Sequence, residues 1–107
     1  MSGSDIEITA RDGGTFGGYL ALPPGGAGPG LIVAQEIFGV NKAMRATADY
    51  FAEEGYVVLV PDLFWRLEPG VQLGHTEAEL AKAFALYEQF DIARGIDDIG
   101  AVLAAVR

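Results

Sequence analysis

In the stretch from Leu31 to Val40, LIVAQEIFGV, a carboxylate stands between a short apolar run and the apolar pair Ile37 and Phe38. A charged group that directly follows a buried strand and precedes a helix lies where open α/β sheets gather their ligands, at the carboxyl ends of the strands. Glu36 therefore has two readings. It is a hydrated strand-end carboxylate, common at such places, or it is an active group whose apolar neighbours Ile37, Phe38 and Val40 force it to find a partner. The backbone amides around Ile37 offer the same crevice donors for an anion.

Other chemistry-bearing residues read more simply. Asp62 ends a second apolar run just after Pro61, and a strand-end aspartate bonding nearby amides accounts for it. Phe64, Trp65 and Arg66 follow in a long loop, where they either line a pocket or pack and pair. Leu80, Phe84, Tyr87 and Phe90 recur at helical spacing, a pattern more often core than ligand box, although Tyr87 at its edge can offer a hydroxyl. The chain has no cysteine, its serines are Ser2 and Ser4 only, and no G-x-S-x-G elbow occurs, so these residues hold no credible serine or cysteine nucleophile. His75, the single histidine, then reads as a loop residue rather than a general base. One histidine and no thiolate predict no metal site, and no cofactor is expected. The glycines of GGAGPGLIV precede a strand instead of following one, which makes them a connector and not a phosphate loop.

With 15 acidic against 7 basic residues the formal charge is -8, without a Lys/Arg cluster, so nucleic acid and anionic membrane are not expected partners. No apolar run approaches the roughly 18 residues of a membrane span, and the amino terminus lacks a signal pattern. A soluble cytoplasmic protein is the expectation.

The 107 residues suit one domain. Residues 1–4 are expected to be a disordered tail. Alternation over 5–9 and the Asp-Gly turn after it predict a hairpin with 15–22. Prolines and glycines make 23–30 a loop. Continuous apolar runs at 31–34 and 56–62 read as strands buried on both faces. Between them Asn41 caps a helix over about 42–54 that carries Met44, Ala48, Phe51 and Ala52 on one face. Strand, helix, strand makes a parallel crossover unit. Thr76 and Glu79 form a capping box for a helix through Phe90. Asp91 opens a last helix with Ile92, Ile96, Ile99, Leu103 and Val106 in register. A crossover helix normally returns the chain to another strand, so the sequence is expected to stop halfway through a fold.

AQEIFGVN, the following helix with Met44 and Arg45, GYVVLVPDLFWR, the Pro-Gly pair and FD…G together resemble the dienelactone hydrolase family over about residues 16–107. The resemblance implies the amino-terminal half of an α/β-hydrolase fold, three-layer, with a leading β-hairpin and then a parallel βαβ unit and further helices. It implies a sheet in the order first, second, fourth, third strand, with the third at an edge. It also implies hydrolysis of an enol-lactone or related ester, as in aromatic compound breakdown. In that family a cysteine nucleophile, a histidine and an aspartate lie later in the chain, so this chain is expected to be inactive alone. Glu36 would help activate the cysteine, the Ile37 amide would contribute to the oxyanion hole, and Phe38 would line the substrate pocket. Where the family places a substrate-binding arginine, this helix offers Lys82, which lacks the bidentate fork and opens the reading to other esters or lactones. An apolar edge strand needs cover, expected from the missing half or from a second copy. The alternative to a split hydrolase is a stand-alone, non-catalytic α/β association module.

Overall fold

The structure is a computed structural model and describes residues 3–105. Strand β1 (Gly3–Thr9) pairs antiparallel with β2 (Thr15–Ala21), the two joined by a turn through Asp12 and Gly13. Gly3 and Ser4, expected in a tail, are instead the first residues of β1 opposite Ala21 and Leu20; Met1 and Ser2 lie outside the described residues. The ladder satisfies their backbone groups, which a free tail would leave to water.

The connector leads into β3 (Gly30–Ile32), helix α1 (Lys42–Glu53) and β4 (Val57–Pro61). β3 and β4 run parallel while β2 and β4 run antiparallel, which gives the sheet order β1-β2-β4-β3. β3 therefore forms an edge, as the strand order requires. Its ladder with β4 is short, flanked by the Val57 amide donating to the Pro29 carbonyl at 2.9 Å and the Val33 amide donating to the Leu59 carbonyl at 3.1 Å. The two remaining helices, α2 (Glu77–Gln89) and α3 (Ile92–Ala105), follow β4 after a long loop.

Side-chain alternation splits the core into two layers, one on each face of the sheet. Tyr19, Ala21, Val58 and Val60 face Met44, Ala48 and Ala52 of α1. The intervening positions, with Ile8, Phe16 and Leu59, face Ala101 and Val102 of α3. Strand β4 supplies both layers, and Val58, Leu59 and Val60 are fully buried. That two-sided burial is why its sequence shows no polar alternation.

Caps fix the helix starts. The Asn41 Oδ1 accepts the Met44 amide at 3.1 Å, and its Nδ2 donates to the Leu73 carbonyl at 2.8 Å, so one residue begins α1 and also ties down the later loop. At α2 the Thr76 hydroxyl accepts the Glu79 amide at 3.2 Å and donates to the Glu79 carboxylate at 2.8 Å. That carboxylate also accepts the Gly74 amide at 2.7 Å; these bonds hold its pKa below the usual glutamate value, the Gly74 bond most.

The apolar stripes of α2 and α3 correct the expectation of core. Leu80, Phe84 and Tyr87 are exposed; α2 buries Ala83 and Leu86, and Leu86 meets Phe64 and Val71 of the preceding loop. On α3, Ile92, Ile96 and Leu103 are exposed, Ile99 is half-buried, and the helix packs through Gly95, Asp98, Ala101 and Val102; Val106 lies outside the described residues. Small residues win on α3 because they allow close approach. A Cβ at Gly95 would strike the Phe90 ring, so this glycine has a packing reason that outweighs its cost in helix propensity.

Candidate functional site

The peptide after β3 turns sharply at Gly39, whose φ of 80° falls in the left-handed region, and a Cβ there would collide with the Val71 carbonyl oxygen. Glycine is required on both counts. Three backbone bonds pin this turn. Gly39 donates to the Glu36 carbonyl at 3.2 Å, Val40 to Val71 at 3.1 Å, and Leu73 to Phe38 at 2.8 Å. Glu36 and Ile37 are thus presented at the end of β3 by a loop braced on residues 71–73.

Next to them is a cleft of about 170 Å³ lined by Gln35, Glu36, Ile37, Leu63, Phe64, Tyr87 and Phe90. Phe64 and Phe90 meet edge to face at 5.8 Å and form its apolar wall. Among the described residues the Glu36 carboxylate has no hydrogen-bond or ion-pair partner, and the Ile37 amide donates to nothing. Glu36 is exposed. A free carboxylate and a free amide on adjacent residues beside an apolar cleft can engage a nucleophile on one side and a developing oxyanion on the other.

The structure brings three of the five residues singled out in the sequence, Glu36, Ile37 and Tyr87, to this one cleft. Phe38 does not line it; its ring meets His75 edge to face at 4.3 Å. Lys82 is not there either, and its ammonium pairs with Glu68 at 2.8 Å on the surface. Two wall residues, Leu63 and Phe90, and the role of Gln35 were missed. Gln35 directly precedes the charge and its Oε1 accepts the Leu63 amide at 2.7 Å, joining the ends of β3 and β4.

Asp62 follows the simple reading: it is buried, and its Oδ2 accepts the Gly70 amide at 2.8 Å. Its Oδ1 has no partner within hydrogen-bond geometry among the described residues. Burial pushes its pKa up, and the Gly70 and Phe64 amides oppose that rise. Asp62 borders a separate cavity of about 290 Å³ that shares no lining residue with the Glu36 cleft.

Trp65 and Arg66 pack and pair. Trp65 stacks on Phe16 at 5.2 Å and donates through Nε1 to Asp98 at 2.9 Å; Arg66 forks onto the same carboxylate at 3.2 and 2.9 Å and reaches Asp12 at 2.7 Å. The hydrogen bonds that Arg66 donates to Asp98 and Asp12 raise its pKa further, and the bond to Arg66 lowers that of Asp12. This knot holds α3 against the loop that carries Phe64 and so fixes one wall of the cleft. No described helix is long and apolar enough to cross a membrane.

A mixed sheet in the order β1-β2-β4-β3, covered by helices on both faces and carrying the Glu36 loop at the end of a parallel strand, defines part of an α/β-hydrolase fold. The family model of the dienelactone hydrolase family matches residues 16–107, and the chain belongs to that family. It is 41% identical over 100 residues to the carboxymethylenebutenolidase of Pseudomonas sp. (strain P51), covering 92% of this chain and 42% of the relative. It is 35% identical over 108 residues to carboxymethylenebutenolidase 1 of Cupriavidus pinatubonensis, covering 100% and 46%. A crystal structure from Klebsiella pneumoniae, provisionally named a dienelactone hydrolase, superposes with a TM-score of 0.72 at 27% identity over 99% of this chain and 44% of that one. The chain thus spans less than half the length of these relatives.

Proposed function

We propose that this chain supplies the Glu36 and Ile37 portion of the active site of a hydrolase that opens an enol-lactone or a related carboxylic ester, and that it does not turn over substrate by itself. The adjacency of an unpartnered carboxylate and an unpartnered amide at an apolar cleft carries this reading. The nucleophile, histidine and aspartate come from the rest of the fold; the family resemblance makes the nucleophile a cysteine. Glu36 assists its activation, the Ile37 amide stabilises the oxyanion of the tetrahedral intermediate, and Tyr87 offers a hydroxyl to the substrate. Lys82, engaged with Glu68, contacts a substrate carboxylate only if that surface pair opens. Phe38 acts on the pocket only through the loop it belongs to. Family relatives named carboxymethylenebutenolidases support a small lactone as substrate; a role in aromatic compound breakdown, in the cytoplasm, goes with that reading.

The exposed Leu80, Phe84, Ile92, Ile96 and Leu103, together with the open edge of β3, support association. The carboxyl-terminal half of the fold is the partner this reading requires; a second copy paired through β3 is the alternative. Mixing the chain with a carboxyl-terminal segment that carries the nucleophile, and assaying enol-lactone hydrolysis, tests the proposal. Activity in the mixture alone is expected, whereas binding without hydrolysis favours a non-catalytic association module. A stably folded monomer in sedimentation would remove the need for any covering partner.

A further inference from the structure

We propose that Gln35 is a positioning residue that locks the peptide plane between Glu36 and Ile37 and so fixes the direction of the Ile37 amide. The inference rests on reading that amide as the oxyanion donor. The Glu36 carbonyl and the Ile37 N–H belong to one planar trans peptide and point to opposite sides of it. That carbonyl accepts two hydrogen bonds, from the Gly39 amide at 3.2 Å and from Gln35 Nε2 at 3.1 Å. With both acceptor sites engaged, the plane rotates only by breaking two bonds, and the N–H stays on the far side.

Gln35 is itself anchored. Its Oε1 accepts the Leu63 amide at 2.7 Å, just past the end of β4. A backbone amide only donates, so the atom facing Leu63 is oxygen and the atom facing the Glu36 carbonyl is nitrogen. The side chain therefore spans the carboxyl ends of two adjacent parallel strands and uses the inner one to steady a donor on the edge one. β3 has only three ladder residues, so its end needs such a brace more than an interior strand would.

Two variants separate the two arms of the side chain. Gln35→Glu keeps an acceptor for Leu63 and loses the donor to the Glu36 carbonyl; Gln35→Met loses both at similar volume. Amide NMR on this chain is the first readout. The Ile37 and Gly39 amide resonances are expected to move in both variants, with the Leu63 amide staying protected from exchange in Gln35→Glu and losing protection in Gln35→Met. An Ile37 resonance unmoved in Gln35→Glu overturns the proposal. Kinetics of the complemented enzyme are the second readout. kcat is expected to fall about tenfold or more, toward the ~100- to 1000-fold of losing an oxyanion donor outright, with KM near wild type. An unchanged kcat, or a change confined to KM, overturns it as well. If the wild-type mixture is also inactive, the ester-hydrolase reading fails by itself, and the resonances of Ile37 still decide the role of Gln35.

Discussion

Asp98 is 1% exposed and accepts three hydrogen bonds, one from the Trp65 indole and two from the Arg66 guanidinium. Truncating it to alanine leaves the indole N–H and two of the guanidinium donors without their acceptor. Breaking a buried pair by removing one partner costs about 3–5 kcal/mol. The Arg66 side chain is still 23% exposed and keeps Asp12 at 2.7 Å, so its charge is not stranded, and the expected loss for Asp98→Ala is about 3 kcal/mol, at the low end. For a domain of this size that corresponds to a drop in Tm of roughly 12–20 °C. Urea unfolding followed by Trp65 fluorescence measures it, because the single tryptophan sits in the knot. Adding Arg66→Met to Asp98→Ala should recover part of the loss, since it removes the two guanidinium donors that no longer have an acceptor. A loss under about 1 kcal/mol for Asp98→Ala would refute the reasoning, for it would mean that water replaces the carboxylate freely.

Other perturbations follow from the same geometry. Gly39→Ala forces a Cβ against the Val71 carbonyl at positive φ and should cost at least about 1–2 kcal/mol, with loss of exchange protection at the Val40 and Leu73 amides; unchanged protection would contradict the turn described. Asp62 has a folded pKa above its ordinary 3.8, so its stabilising contribution exists below that value and is lost as pH rises through the raised one. Asp62→Asn should therefore gain stability relative to wild type from acidic to neutral pH, while a wild type that gains over that range would show the opposite shift. Glu36→Gln should alter stability by less than about 0.5 kcal/mol and abolish most hydrolysis in the complemented enzyme; equal rates would remove Glu36 from the mechanism.

The strands and helices were legible because each carries its own signal. Alternation marks β1, the unbroken VVLV marks β4, and Asn41 and Thr76 mark helix starts with side chains that do cap. Periodicity could not say which helix face is covered. On α3 the Ile92, Ile96 and Leu103 stripe is the more hydrophobic one, yet the sheet takes the face of Gly95, Asp98, Ala101 and Val102, where small residues permit contact. Asp98 drew no reading from the sequence, although its spacing from Gly95, Ala101 and Val102 puts it on that small-residue face. Phe38 fails to join the cleft for a local reason: the Gly39 turn follows it at once, and its ring meets His75. Lys82 was chosen as a cation on α2, and no local pattern could show that Glu68, fourteen residues earlier, sits within reach.

Three carboxylates show how this fold separates structure from chemistry. Asp98 is buried with three donors, so its charge belongs to the packing of α3. Asp62 is buried with one oxygen unpartnered among the described residues, so its charge opposes folding as it ionises and is tolerated for the bond it accepts from the Gly70 amide. Glu36 is exposed and has no partner among the described residues, although the backbone beneath it is held by the Gly39 turn and by Gln35. A rigid backbone under an uncommitted carboxylate is what a site needs when its acid must respond to an incoming nucleophile: the position is fixed in advance, and no existing bond has to break first. The same logic applies to the Ile37 amide, left free on a peptide whose carbonyl is doubly held.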